Sequence, residues 1–95
     1  MQVKEHYNVK WLKKLDIRAI TLNNHILYAI SKYEIPSWLR NHELVHVNQY
    51  QEYGVFMFLV IYCLNYIDNR IKGMSSDDAY YNIEFEIEAR KGEYK

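Results

Sequence analysis

The sequence predicts an α+β domain in which a β-hairpin precedes three helices. Two observations carry this. Residues 16–32 are dense in β-branched and aromatic side chains, and Leu22-Asn23-Asn24-His25 supplies turn chemistry between two apolar stretches. From residue 37 to residue 91 there is no proline, and glycine occurs only at Gly54 and Gly73, so helices have room to run.

The elements follow in order. Residues 1–15 fit either a short helix or an irregular strand, through Val9, Trp11, Leu12 and Leu15. The hairpin then places strands near 17–22 and 26–31. Pro36 ends the extended region, because Ile35 before it is biased away from helix, and Pro suits a helix's first turn. A first helix covers about 37–53, with Gly54 just past its end. A second covers about 55–72 and closes at Gly73. Its nearly all-round apolar first half argues for a central place in the core, with Cys63 inside it. Ser75-Ser76-Asp77-Asp78 offers cap residues and first-turn acids for a third helix reaching about residue 91. Trp11 and Trp38 read as core.

Ninety-five residues make one domain, 1–95, with a single core and no room for a separate substrate-binding domain. Apolar residues at 49% and charged residues at 25% are a globular balance. The 12 basic and 12 acidic side chains cancel, and no helix-turn-helix or basic stripe stands out, so no nucleic-acid partner is expected. A lone cysteine cannot form an internal disulfide. The start of the chain has no secretory-signal pattern, and the longest apolar run, 55–67, falls short of the roughly 18 to 20 residues of a membrane span. A cytoplasmic location is the expectation. The run 55–67, with Phe56, Met57, Phe58 and Leu59, also suits contact with a membrane surface, and an oligomer or larger assembly stays open.

The chemistry concentrates in His42-Glu43-Leu44-Val45-His46. Residues four apart on a helix lie nearly above one another, so His42 and His46 can turn imidazole nitrogens to one ion. Glu43, rotated by about 100° from His42, can reach a water beside that ion and take its proton. Two histidines hold zinc weakly, and open zinc sites usually have three protein ligands. His6 and His25 lack ligand spacing. The third helix has a better candidate. Advancing about 100° per residue from Ala79 puts Glu86 near 340°, inside the apolar arc, and Glu84 and Glu88 near 140° and 180°, on the polar side. A buried carboxylate without a partner costs several kcal/mol, and a zinc ion would satisfy Glu86. On the first helix, both histidines share a face with Trp38, Leu39, Val45 and Tyr53. Gln49 lies there too, within reach to hydrogen-bond a ligand.

His-Glu-Leu-Val-His-Val-Asn-Gln, followed by Glu86-Ile87-Glu88-Ala89, resembles the gluzincin metallopeptidases, above all their small single-domain members. The resemblance spans about residues 17–91. It implies a minimal zincin-like fold with its active-site helix at about 37–53 and one zinc ion per chain on His42, His46 and Glu86. Glu43 would be the general base, and a peptide or protein the substrate. It also implies an edge strand that binds extended peptide by main-chain hydrogen bonds, for which Ile26, Leu27, Tyr28, Ala29 and Ile30 are the candidates. Related enzymes often place Asp four residues after the ligand Glu to orient a histidine, and this chain has Arg90 there. Arg90 could instead pair with Glu86 along the helix. Tyr50, Tyr53, Tyr80 and Tyr81 are within reach as hydrogen-bond donors, although most tyrosines serve packing. The alternative to a peptidase is a non-catalytic protein in which zinc staples a small core and the surface serves assembly.

Overall fold

The computed structural model describes residues 2–94, and the α+β expectation holds. The elements run β1 (Lys4–His6), α1 (Lys10–Lys14), β2 (Ala19–Leu22), β3 (His25–Tyr28), a 3-10 turn at Lys32–Glu34, α2 (Ser37–Ile71), α3 (Ser76–Tyr81) and α4 (Glu84–Lys91). Residues 1–15 therefore hold both a strand and a helix, α1 being anchored by the fully buried Leu12.

β2 and β3 form the expected antiparallel hairpin, with Leu22 opposite His25 and Ala19 opposite Tyr28. Asn23 turns the chain at φ +58°, a left-handed conformation that asparagine tolerates. The sheet order is β1-β3-β2. This corrects the edge-strand expectation. Ile26, Leu27 and Tyr28 lie on the central strand, with β1 parallel on one side and β2 antiparallel on the other. Ala29 and Ile30 are bonded just beyond it, Ala29 N–H donating to Arg18 and Ile30 C=O accepting from Asn8. The physical reason is burial: Ile26 and Tyr28 are completely enclosed, and a strand so enclosed belongs at the centre of a small sheet. The edge that remains beside the helices is β2.

The sheet packs on the first part of α2, where Ile26, Tyr28, Leu39 and Val47 form one apolar cluster. Helix α2 carries the two predicted helices end to end. Gly54, at φ +80° and ψ 160°, breaks the helical geometry between residues 53 and 55, a backbone state that favours glycine. Beyond that kink only Phe58 is a buried apolar side chain, and it joins Tyr50, Ile83 and Phe85 in a second cluster. The expectation that 55–67 is central to the core fails. Phe56 is 76% exposed, Leu64 60%, and Cys63 is exposed as well. Trp11 is also exposed, at 48%. Among the described residues no helix is long and apolar enough to cross a membrane.

The predicted third helix is two. Ser75 caps α3, its hydroxyl accepting from Asp78 N–H at 3.2 Å, as the sequence suggests. The helix stops at Asn82, whose amide donates to Asp78 C=O at 2.8 Å, and Ile83 turns extended to enter the second cluster. Asn65 on α2 then accepts from Glu84 N–H at 2.8 Å and so caps α4 from outside. Gly92, at the end of α4, packs so close to α2 that a Cβ there would lie 2.6 Å from Val45 Cγ2. That approach brings α4 across the histidines of α2.

Candidate metal centre

The site lies where α2 and α4 cross, between the two apolar clusters. The i,i+4 spacing sets the two imidazoles on one face of α2, ring centroids 5.1 Å apart. Glu86 meets both from α4. Its Oε1 is 3.0 Å from His42 Nε2 and its Oε2 is 3.2 Å from His46 Nε2. His46 and Glu86 are buried, and His42 nearly so. One ligand atom from each of the three residues lies within 4.8 Å of the others, and the group could hold a metal ion.

The surrounding hydrogen bonds fix which ring nitrogen is available. Glu93 Oε2 sits 2.7 Å from His42 Nδ1, and a carboxylate only accepts, so that Nδ1 carries a proton. Gln49 donates its amide hydrogens to Phe85 C=O at 3.0 Å and to Glu88 at 2.8 Å, which leaves Gln49 Oε1 facing His46 Nδ1 at 2.8 Å. His46 Nδ1 is therefore also a donor. Both Nε2 atoms are left to point at Glu86. Two imidazole nitrogens and one carboxylate oxygen, each with an outer partner, are a donor set that fits a divalent transition metal with a position to spare.

Charge follows from the same contacts. Burial would raise Glu86, but the hydrogen bonds from His42 and His46 hold its carboxyl far below the usual carboxylate range. Burial lowers the two histidines, and their carboxylate neighbours more than reverse it, so both stand above their ordinary 6.5 without metal. A cation would displace those protons and take over their role.

Glu43 points elsewhere. Its Oε1 accepts from Thr21 Oγ1 at 2.8 Å, which ties it to strand β2. Burial pushes its pKa up, against the opposing pull of His46. Glu43, His46 and Glu86 are the ionisable acid and imidazole groups lining a cavity of about 320 Å³. Ile20 and Leu22 of β2 and Phe58, Leu59 and Tyr62 of α2 also line it.

The structure thus brings His42, Glu43, His46, Gln49 and Glu86 together, as the sequence reading places them. It does not bring Arg90 to the ligands. Arg90 donates to Tyr81 C=O and stacks over the Tyr81 ring at 3.6 Å, while Glu86 faces the histidines. Orientation of His42 falls instead to Glu93, in the turn just past the end of α4. Of the candidate tyrosines, Tyr50 and Tyr80 line the cavity, and Tyr53 packs against Phe85. Tyr62 lies outside that group, yet its hydroxyl donates to Glu86 Oε2 at 2.7 Å. No motif spacing marks Glu93 or Tyr62. No protein-family model, curated protein or solved structure matches the chain.

Proposed function

We propose that this protein is a zinc-dependent peptidase with a minimal zincin-like fold, in which Glu43 is the general base. The observation that carries the proposal is the convergence of His42, His46 and Glu86, two of which, His46 and Glu86, line with Glu43 a cavity bordered by strand β2. His42, His46 and Glu86 would hold the ion. Zinc, when bound, supplies Lewis acidity that acidifies water and polarises a carbonyl.

The chain's own residues do the rest. Strand β2 pairs on one side only, with β3, and its free edge can take the main chain of an extended peptide. The apolar walls then receive a large apolar side chain next to the bond that is cut. Glu43, held by Thr21, takes a proton from the attacking water as its oxygen adds to the carbonyl carbon. It returns that proton to the amine nitrogen as the C–N bond breaks. Burial suits it to the first of these transfers, because a raised carboxyl pKa makes the carboxylate a stronger base toward the water's proton. Tyr80, whose hydroxyl is pushed up to about 12 by burial and the nearby Glu86, stays protonated and offers a donor at the cavity wall.

The test compares zinc-loaded wild type with Glu43→Gln on a mixed peptide library read by mass spectrometry. Cleavage by wild type, reduced about 10²- to 10⁴-fold in the variant with zinc retained, supports the proposal. Equal behaviour of the two favours the alternative of a zinc-stapled assembly protein and ends the peptidase reading.

A further inference from the structure

Tyr62 stands on the part of α2 beyond the Gly54 kink, and its ring packs beside Phe58 at a centroid distance of 5.6 Å. That packing aims its hydroxyl at Glu86 Oε2, 2.7 Å away. A carboxylate only accepts, so the phenol is the donor. The other donors to Glu86 are His42 Nε2 on Oε1 and His46 Nε2 on Oε2.

Metal binding removes one kind of donor and keeps the other. Each histidine holds a proton on Nδ1, toward Glu93 and Gln49 respectively, so an Nε2 that gives its lone pair to a cation has no hydrogen left for Glu86. The Tyr62 hydroxyl keeps its hydrogen. Oε2 thus remains hydrogen-bonded to the phenol, whereas Oε1 has lost its donor and is free to bind the cation.

We propose that Tyr62 is a positioning residue that restricts Glu86 to one-oxygen coordination through Oε1 and so keeps a coordination position clear for water or substrate. The inference rests on the metal reading of the three-residue cluster. Without the phenol, Oε2 would lose its closest donor, and turning it onto the ion as a second ligand atom would be a ready compensation. The tie also joins the far part of α2 to α4 at the metal, so a residue remote from the His-Glu-x-x-His run sets the coordination number.

Cobalt(II) substitution tests this without a substrate. Wild type should take up one cobalt per chain and show the intense visible bands of a four-coordinate ion. Tyr62→Phe should still bind cobalt but with bands weakened toward five-coordination, and with affinity lower by about 10- to 100-fold, the usual effect of losing an outer partner. Spectra and affinities identical to wild type would overturn the proposal. Should Tyr62→Phe not fold, X-ray absorption of zinc-loaded wild type reads the same quantity. One carboxylate oxygen in the metal shell supports the role of Tyr62, and two overturn it. Wild type that binds no cobalt and no zinc would instead remove the metal reading beneath it, a result distinct from either coordination outcome.

Discussion

Glu93 gives the sharpest quantitative test of how the histidines are organised. Its Oε2 is 2.7 Å from His42 Nδ1, and both side chains are about 85% enclosed, so solvent screens the pair weakly. The backbone of Glu93 is held independently, Asn41 donating to its C=O at 2.9 Å. A side-chain substitution should therefore leave the position of the chain intact. Loss of such an outer partner typically weakens metal binding by about 10- to 100-fold, or roughly 1.4 to 2.8 kcal/mol. Glu93→Gln keeps an acceptor oxygen and loses only the charge, which places it near the lower bound. Glu93→Leu loses both and belongs near the upper one. Competition against a chromophoric chelator at neutral pH, with circular dichroism to verify the fold, measures both values. Leucine at this position binding zinc as tightly as wild type would refute the reasoning, because His42 would then need no partner to present Nε2.

Other consequences follow from single contacts. Gly92→Ala would set a Cβ 2.6 Å from Val45 Cγ2 and should destabilise the protein by about 1–3 kcal/mol, with Val45→Ala in the same chain recovering part of the loss in thermal melts. Thr21→Val removes the 2.8 Å hydrogen bond to Glu43 and should lower kcat by about 10- to 100-fold while zinc content is unchanged, and Thr21→Ser should restore it. Without metal, His42 and His46 have folded pKa values above their ordinary 6.5, so their stabilisation is full below pH 6.5 and is lost as pH rises through the raised values. Chelator-treated protein should thus melt at progressively lower temperature as pH climbs above 6.5. Zinc-loaded protein should not follow, since metal binding strengthens as the histidines lose protons.

The parts of the site that sequence makes legible are those fixed by local geometry. His42, Glu43, His46 and Gln49 share one uninterrupted helical segment, and a 3.6-residue period places them wherever that segment packs. The helical wheel that points Glu86 inward runs straight through residues 82 and 83, where the chain leaves the helix. Glu86 faces inward all the same, because Phe85, Glu86 and Ala89 form a buried face of α4 by themselves. What escaped depends on distant partners. β1 is only three residues long and pairs in parallel with a strand 21 residues away, Lys4 opposite His25, which no local pattern announces. The apolar run 55–67 looks alike whether a helix is enclosed on all sides or, as here, packs on one side and exposes Phe56, Leu64 and Ile67. Glu93 reaches His42 only because Gly92 allows α4 to press against Val45, and Tyr62 reaches Glu86 only through the kink at Gly54.

The proposed function rests on His42, His46 and Glu86 holding one ion, and the most direct test is the metal content of untagged protein, wild type beside Glu86→Ala, by elemental analysis. About one zinc per wild-type chain, lost or greatly reduced in Glu86→Ala while the fold persists, is the result the site predicts. Wild type that takes up no metal even when zinc is supplied would contradict it and leave His42, His46 and Glu86 as a buried ion-pair network alone.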